Sequence, residues 1–469
     1  MRNIKQILIS LFFGLATVFF SPFAAYPQNK DYLIGIFGIP EGKFDELTKA
    51  GVNSLLISEF QLEQAKGLNL KKIYFTGINP KNIKGGINDN EIDKRVKLFT
   101  EAGDAYRYYL GDDLKGKHAD VIQRIKQRLG IKSGIVGVLR GWRLYPEDDI
   151  LKYHYPLMRN DLRLSDILKN QVKIGNDLHS TNRKLYIGTQ AHPQLWYREI
   201  IKLGNMNERS LLYPDGQVVR MLIYYAMATG ADGYFLYNHK GLSGPWSIER
   251  LEGAAQAILE TRPLTQSLSS STGAEFFQKT PNVFGTKIRG EIYDLLFIYN
   301  ADLTAHYHPT TIPLRMNLND IIDPKSYKAI YKYSPLGSIP VTGAIDIPQD
   351  HALILIAFRD RVNIEPFQLS PSALGLYAEI LQSRADKLSA NLKIMGMDIP
   401  PLMINSITLT EKINRIIRYI DKLNEMKRDE WLKISDNKVP MDGDTLNRLF
   451  FKKELTKPDK KEFYNFYYR

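Results

Sequence analysis

The sequence predicts the α/β fold class: a TIM (β/α)8 barrel, followed by an antiparallel β-sandwich and a C-terminal helical segment. From Tyr32 to about Leu268, short apolar strands alternate with amphipathic helical stretches, giving about eight β/α units in roughly 240 residues. From about Gly273 to Phe358 strand-like alternation replaces this pattern, and from Pro371 a helical period returns. A doubly wound sheet is the weaker alternative, because no glycine-rich phosphate loop follows the first strand.

The barrel elements follow from apolar runs of strand length separated by helix-length amphipathic runs. The candidate strands are Leu33–Phe37, Val52–Ile57, Lys72–Thr76, Ala105–Leu110, Gly134–Leu139, Ile150–Tyr155, Leu185–Gln190 and Gly233–Tyr237. The candidate helices are Phe44–Ala50, Asp93–Ala102, Ala119–Leu129, Leu164–Leu178 and Asp215–Thr229. Because function in a TIM barrel lies at the carboxyl ends of the strands, we assign Asp149 and Asp232, which stand at strand starts, to the stabilising face.

The second block predicts a small antiparallel sandwich and the third a pair of helices. The candidate sandwich strands are Asp294–Asn300, Thr311–Met316, Tyr327–Tyr333, Gly343–Ile347 and Ala352–Phe358. The helical stripes are Leu374, Tyr377, Leu381, Leu388 and Leu392, and then Ile413, Ile416, Ile417, Ile420 and Leu423. Ser370-Pro371 and Thr410 are the expected N-terminal caps. We expect an antiparallel pair that folds on the sandwich or pairs with another chain, which makes these helices a candidate docking element for a partner.

The N-terminal segment has the pattern of a secretory signal. Arg2 and Lys5 precede an apolar run from Ile7 to Phe20, and small residues follow up to Ala25. An uncleaved anchor is the alternative, since this run could just cross a bilayer of ~30 Å. No later segment is long and apolar enough to span, so we expect no membrane span in the mature chain. The predicted organisation is a signal peptide at 1–25, the barrel at 31–268, the sandwich at 273–360 and the helical region at 368–469. We predict a secreted or periplasmic protein of a bacterial cell envelope.

Composition restricts the chemistry. The chain of 469 residues has no cysteine, which excludes disulfides, a cysteine nucleophile and thiolate metal sites. Its formal net charge is +12, but basic residues are interleaved with acidic ones throughout, so we expect no nucleic-acid partner. His154, His192 and His239 follow three successive candidate strands. No strand end offers a His-x-His pair, and we predict neither a metal nor a cofactor.

Polar and aromatic side chains follow the candidate strands in a pattern typical of a carbohydrate site. Aromatic faces pack on the C–H faces of sugars, while carboxylates, amides, arginine and histidine bind hydroxyl groups. The acidic candidates are Glu59 after strand two, and Asp112 and Asp113 after strand four. The candidate substrate-binding residues are Arg140, Trp142, Tyr155, Gln190, His192, Tyr237, Asn238, His239 and Trp246. For the tryptophans, ordinary packing is the alternative. Arg140 and Arg143 suit an acidic sugar, or else salt bridges at the barrel rim.

These motifs resemble secreted TIM-barrel proteins related to glycoside hydrolases. The resemblance covers Tyr32 to about Leu268 and lies in four stretches in this order: Tyr108 to Asp113, His154 to Pro156, Leu185 to Ala191, and Arg220 to Tyr237. It implies an acidic motif at Asp112 and Asp113, an amide at Gln190 and a last strand end at Tyr237. The resembled enzymes usually place one glutamate after strand four and another after strand seven. Here Asp113 stands at the first position and Gln190 or His192 at the second, so the usual pair is incomplete.

Two functions remain open at this point. Retaining glycosidases need two carboxyl groups about 5–5.5 Å apart and inverting ones about 6.5–9.5 Å. Glu59 or Asp161 is the candidate for the second carboxylate. We predict an exported glycoside-hydrolase-like protein that acts on or binds a polysaccharide or oligosaccharide, with Asp113 as proton donor and Glu59 activating water. The alternative is a non-catalytic glycan-binding envelope protein whose helical end docks a partner.

Overall fold

Eight parallel strands form a closed barrel in sequence order, as predicted. The structure, a computed structural model, describes residues 32–39, 44–77, 88–103, 105–115, 118–138, 141–154, 164–191, 215–237, 247–301, 312–349, 351–405 and 408–438. The barrel strands are β1 Leu33–Phe37, β2 Ser54–Ile57, β3 Lys71–Phe75, β4 Ala105–Leu114, β5 Ile135–Val138, β6 Asp149–His154, β7 Leu185–Gln190 and β8 Gly233–Tyr237. The ring closes where β1 pairs with β8, with Leu33 opposite Gly233.

Helices connect most of these strands, which is the arrangement that parallel pairing requires. They are α1 Phe44–Ala50, α2 Leu62–Ala65, α3 Asp89–Ala102, α4 Ala119–Leu129, α5 Leu164–His179 and α6 Gly216–Ala228. Two further helices, α7 Ser247–Thr261 and α8 Thr265–Ser269, follow β8. The described part of the crossover from β5 to β6 contains a single 3₁₀ turn, Trp142–Leu144, in place of an α-helix. Asp215 begins the candidate helix Asp215–Thr229 and is the N-cap of α6, because its side chain accepts a hydrogen bond from the Val218 amide.

Bulky side chains fill the barrel interior. Side chains alternate along a strand, so residues two apart, such as Leu151 and Tyr153, both point inward. The buried interior cluster is Leu33, Leu56, Ile73, Tyr109, Ile135, Leu151, Tyr153, Tyr186 and Phe235, with Phe37, Phe75 and Tyr237 packed against it. Glycine makes room for the rings: a Cβ on Gly35 would lie 2.2 Å from the Phe235 ring.

The N-terminal end of the barrel holds the strand starts by carboxylate hydrogen bonds, as expected for a stabilising face. Asp149 accepts from the Lys184 amide at 2.9 Å. Asp232 accepts from the Leu185 amide at 3.0 Å and lies 2.9 Å from His179 Nε2. Each carboxylate therefore ties the start of β7 to another strand or helix.

Two antiparallel sheets follow the barrel, and they correspond to the predicted sandwich. The strands are β9 Gly273–Gln278, β10 Val283–Arg289, β11 Tyr293–Asn300, β12 Leu314–Asn317, β13 Ala329–Lys332, β14 Ile339–Pro340, β15 Ala344–Ile347 and β16 Leu353–Phe358, with the short helix α9 Leu318–Ile321 between β12 and β13. One sheet has six strands in the order β14-β13-β16-β11-β10-β9, and the other pairs β12 with β15. The larger sheet is joined to the barrel at Thr286, whose hydroxyl donates to the Ala228 carbonyl.

Two long helices end the described chain: α10 Pro371–Ile394 and α11 Leu409–Lys438. Ser370 caps α10 as predicted, because its hydroxyl accepts from the Ala373 amide. The prediction of Thr410 as the second cap is wrong. Thr408 holds that position and accepts from the Glu411 amide at 3.2 Å, so the helix begins two residues earlier than the sequence suggested.

The helical pair packs on the barrel helices α6 and α7. Lys427 of α11 pairs with Asp215 and Glu249, and Lys387 of α10 pairs with Glu252. The apolar stripe of each helix is buried in the same packing, including Leu381, Leu388, Ile413, Ile416 and Leu423. The predicted alternatives placed this pair on the sandwich or against another chain. The ion pairs with Asp215, Glu249 and Glu252, which the periodicity of α10 and α11 does not reveal, place it on the barrel helices rather than on the sandwich. Pairing with another chain stays a prediction.

Glu260 at the end of α7 joins the barrel, the larger sheet and the helical pair. Its carboxylate accepts from Arg220 at 2.7 and 3.0 Å, from Tyr224 at 2.9 Å and from Tyr377 of α10 at 2.6 Å. Its carbonyl oxygen accepts from the hydroxyl of Tyr333, which directly follows β13. A single buried residue therefore contacts all three parts of the chain.

The described residues from Tyr32 onward form one compact unit. The first 31 residues lie outside the described part, so the predicted signal peptide stays a prediction. The predicted domain boundaries stay predictions as well. Within the described residues, no helix combines the length and the apolar character that crossing a bilayer requires.

Candidate functional site

A bulged strand aims Asp112 into the barrel near its carboxyl end. Residues three apart on a regular strand face opposite sides. The pairing of β4 with β5 shifts register twice, between Tyr109 and Gly111 and between Gly111 and Leu114. The shifts turn Asp112 toward the side of Tyr109, and its carboxylate accepts a hydrogen bond from the Tyr109 hydroxyl at 2.9 Å.

Gly137 provides the space for this contact. It lies on β5, next to β4, and a Cβ built on it would lie 1.9 Å from the Tyr109 hydroxyl oxygen and 2.8 Å from Asp112 Oδ1. No heavy atoms approach so closely without displacement. A larger residue at 137 is therefore incompatible with the present position of the tyrosine–aspartate pair.

A second tyrosine extends the pair into a chain of three. The Tyr153 hydroxyl of β6 lies 2.6 Å from that of Tyr109. Burial raises the pKa of Tyr109 well above its usual value, and the nearby Asp112 charge raises it further. Tyr109 is therefore neutral at physiological pH and has one proton to donate. With Asp112 ionised, that proton goes to Asp112, and Tyr153 donates in turn to Tyr109.

Aromatic rings surround this chain. Phe37 lies edge-on to Tyr237 at 4.8 Å and 6.1 Å from Tyr153, while Tyr153 lies 5.1 Å from Tyr237. Phe75 contacts Tyr109 at 5.2 Å between ring centroids. Gly188 on β7 leaves room for Tyr153, since a Cβ there would lie 2.6 Å from its ring. The result is an aromatic wall around one carboxylate at the carboxyl end of the barrel.

Gln190 and Tyr237 end neighbouring strands, as the sequence predicted. They are paired in register across β7 and β8. Gln190 is fully buried, and Tyr237 is partly exposed. An amide can bind a sugar hydroxyl, but it has no carboxylate with which to attack carbon or accept a proton.

Glu59 lies in a 3₁₀ turn, Glu59–Gln61, directly after β2. Its side chain is partly exposed and makes no hydrogen bond or ion pair among the described residues. Phe60 beside it is 86% exposed. Glu59 therefore belongs to the rim at the carboxyl end, without a described contact to Asp112.

Trp142 lies elsewhere than at the predicted mouth. Arg143 and Arg183 stack on its ring at 5.1 and 5.8 Å. Arg183 donates to the carbonyls of Asp148, which directly precedes β6, and Tyr145. The tryptophan therefore covers the crossover near the N-terminal end of β6. Arg143 pairs with Asp177 at 3.3 Å, which corresponds to the salt-bridge alternative for this arginine.

Several predicted residues lie wholly or partly outside the described part of the chain. The backbones of Asp113 and His154 are described as parts of β4 and β6, but their side chains are not. Residues wholly outside the described ranges are Arg140, Tyr155, Asp161, His192, Asn238, His239 and Trp246. Among the described residues, no group of three histidine or carboxylate side chains is arranged to hold a metal ion.

Sequence reasoning did not select Tyr109, Tyr153, Gly137 and Phe37 for the site. The alternation of inward and outward side chains along the strands could have identified three of them. Tyr109 and Tyr153 occupy inward positions, and Gly137 occupies the inward position of the strand between them. A glycine between two inward tyrosines indicates that the rings meet across it.

Comparisons with known proteins find similar solved structures but no similar sequence family. No family model matches the sequence, and no curated protein matches it. One similar solved structure is described as a glycoside hydrolase, with 11% identity, coverage of 71% of this chain and 93% of that chain, and a TM-score of 0.42. A glycoside hydrolase family 5 protein from Bacteroides vulgatus has 11% identity, 73% and 93% coverage and a TM-score of 0.42. A maltogenic alpha-amylase from Thermotoga neapolitana has 10% identity, 70% and 99% coverage and a TM-score of 0.41.

Proposed function

We propose that this protein is exported and binds or cleaves a polysaccharide or oligosaccharide at the carboxyl end of its barrel. The observation that carries the proposal is the chain from Tyr153 through Tyr109 to Asp112 inside an aromatic wall. An ionised carboxylate accepts hydrogen bonds from sugar hydroxyls, and aromatic rings pack on sugar C–H faces. Active sites of TIM barrels lie at this end of the strands.

If the protein is a hydrolase, the acidic residues have different proposed roles that depend on their protonation. Asp112 accepts a hydrogen bond from the neutral Tyr109 phenol, so its carboxylate acts as an acceptor in this proposal. Asp112 is then suited to stabilise positive charge that develops on the sugar ring, rather than to donate a proton. Asp113 is the proposed proton donor and Glu59 the proposed base that activates water, in an inverting reaction with carboxyls roughly 6.5–9.5 Å apart.

The proposed ligand contacts come from the other strand ends. Tyr237 and Phe37 supply ring faces, and Gln190 supplies an amide. The remaining proposed contacts are Arg140, Tyr155, His192, Asn238, His239 and Trp246. Trp142 is omitted, because its ring is stacked with Arg143 and Arg183 at the side of the barrel. Arg140 would extend the ligand range to acidic sugars.

A non-catalytic glycan-binding protein is the second candidate function, and Gln190 favours it. At the end of β7 this chain has an amide where the resembled enzymes usually have a carboxylate. The described part of the helical pair packs on α6 and α7 through its apolar stripe, so partner docking by this pair would have to use its outer face.

The proposal is tested with a panel of neutral and uronic-acid glycans, measuring released reducing ends and, separately, binding by calorimetry. Asp113→Asn should lower cleavage by about 10²–10⁴-fold and leave binding nearly unchanged, as expected for loss of a general acid. Asp112→Asn should weaken both cleavage and binding. Asp320→Asn, an exposed aspartate of the short helix α9, is the matched control and should change neither.

The outcomes separate the two functions. Binding without cleavage by the wild type, lost in Asp112→Asn, favours the glycan-binding protein. Cleavage that survives Asp113→Asn contradicts the assigned proton donor. If the wild type neither binds nor cleaves any glycan of the panel, the proposed function is wrong. Export is checked by N-terminal sequencing of protein recovered from the envelope and the medium, with cleavage expected near residue 25.

A further inference from the structure

A groove of about 730 Å³ with mixed polar and apolar lining lies between α5 and the edge strand β9, on the flank of the barrel. It is separate from the candidate site, because His179, which also lines it, contacts Asp232 at the N-terminal end of β8. Its lining includes Lys169, Lys173, Asn176, Glu275, Phe276 and Arg289.

Asn176 already occupies part of the sheet edge in the way that another strand would. Its side-chain nitrogen donates to the Ala274 carbonyl at 2.7 Å, and its side-chain oxygen accepts from the Ala274 amide at 3.1 Å. The N–H and C=O groups of alternate residues on an edge strand point the same way. Those of Phe276, two residues on, therefore face the open edge, and they have no partner among the described residues.

The charge left free in the groove is positive. Asp177 pairs with Arg143 at 3.3 Å, and Glu275 pairs with both Lys287 and Arg289 at 2.9 and 2.8 Å. Lys169 and Lys173 are one helical turn apart on α5 and exposed, and neither forms an ion pair within the described residues. Both acidic groups of the groove are thus neutralised, while two lysines are not.

We propose that this groove binds an extended, acidic peptide segment of a partner protein, which adds to the β9 edge beyond Ala274. Backbone groups of the peptide would pair with Phe276, and acidic side chains on the helix side would meet Lys169 and Lys173. The open backbone groups favour a peptide over a polyanionic glycan, since a glycan has no peptide groups to pair with them. The lysines stand on α5 and not on β9, which distinguishes them from charges that merely protect a sheet edge.

The test uses the full chain and a fluorescein-labelled peptide of alternating glutamate and valine, with binding followed by fluorescence anisotropy at low salt. Lys169→Glu with Lys173→Glu should weaken binding at least tenfold. Lys94→Glu with Lys132→Glu makes the same change of charge at exposed sites elsewhere and should leave binding unchanged. Peptide binding should also slow hydrogen exchange of the Phe276 amide.

Four outcomes overturn the proposal. The first is the absence of binding by the wild type. The second is equal loss in both double variants, which indicates attraction by net charge alone. The third is binding without protection of Phe276, which indicates a site without strand addition. The fourth is tighter binding of a sulfated polysaccharide that competes with the peptide, which indicates a polyanion site.

Discussion

The hydroxyl oxygens of Tyr109 and Tyr153 lie 2.6 Å apart inside the barrel, although the two residues are 44 positions apart in sequence. They meet because β4 and β6 flank β5, whose Gly137 has no side chain to separate them. Tyr109 also donates a hydrogen bond to Asp112. The position of the one described carboxylate inside the aromatic wall therefore depends on residues of β4, β5 and β6.

Removing the Tyr109 hydroxyl should disturb Asp112 without removing the ring. Tyr109→Phe leaves Tyr153 and Asp112 without their shared partner, and we expect a loss of about 1–3 kcal/mol in the free energy of unfolding. Glycan affinity should fall as well, because Asp112 loses the hydrogen bond that orients it. Urea unfolding and calorimetric titration measure the two effects.

Tyr299→Phe is the matched control for this prediction. Tyr299 is equally buried, and its hydroxyl has no hydrogen-bond partner in the described part of the chain. Its removal should be neutral or slightly stabilising. Equal destabilisation by both variants would contradict a specific role for the Tyr109 hydroxyl.

Adding one methyl group at Gly137 should have a steric effect on the same pair. Gly137→Ala places a Cβ 1.9 Å from the Tyr109 hydroxyl oxygen, and we expect about 1–3 kcal/mol of destabilisation from overpacking. The double variant with Tyr109→Phe should lose less than the sum of the two single changes, since the colliding oxygen is gone. Chemical denaturation of all four proteins gives the coupling energy.

Gly375→Ala in α10 provides the opposite control. No atom lies within 4 Å of the position of its Cβ, and alanine is favoured over glycine inside a helix by roughly 0.5–1 kcal/mol. This variant should be more stable than the wild type. Strict additivity in the Gly137 and Tyr109 cycle would contradict the proposed collision.

Much of the barrel could be predicted because its signals are local. Strands β1, β7 and β8 have the predicted bounds, since each is a short, mostly apolar run of strand length. The candidate helices do not include α7, and the burial of its charged residues Glu249, Glu252 and Glu260 could not be predicted from local sequence. These residues are buried by partners far away in sequence, such as Lys387 and Lys427.

The candidate site likewise has residues that the sequence reveals and contacts that it does not. Asp112, Gln190 and Tyr237 could be selected because position at a strand end is readable from the sequence. The contact between Asp112 and Tyr109 could not, because it depends on a register shift between β4 and β5. The misplacement of Trp142 has a related cause: the chain after β5 turns back along the barrel instead of remaining at the mouth.

The helical pair should be an integral part of the folded unit, and two substitutions in α10 test this. Leu388 is fully buried and Ile394 is 68% exposed. Leu388→Ala should lower the free energy of unfolding by about 2–5 kcal/mol, while Ile394→Ala should change it by less than about 0.5 kcal/mol. Intrinsic tryptophan fluorescence and circular dichroism should then report one shared transition. A separate early transition of the helical signal in Leu388→Ala would indicate that the pair folds independently of the barrel.

Glu260 should make stability depend on pH in the acidic range. Burial alone would raise the pKa of Glu260, but the Arg220 ion pair and the hydrogen bonds from Arg220, Tyr377 and Gln256 outweigh it, so the pKa is lowered on folding. A depressed folded pKa contributes stability that is complete above the unfolded value of about 4.3 and is lost as the pH falls through the lower folded value.

Glu260→Gln tests the magnitude and the sign of this contribution. At pH 7 it should destabilise the protein by about 3–5 kcal/mol, because Arg220 stays buried without its charged partner. Between pH 5 and pH 3 the wild type should lose stability more steeply than the variant, so the difference between them should shrink as the pH falls. Urea unfolding at several pH values measures both curves, and exposed Glu379→Gln on α10 is the control that should follow the wild type. A difference that stays constant from pH 7 to pH 3 would show that Glu260 stabilises the fold by packing and not by its charge.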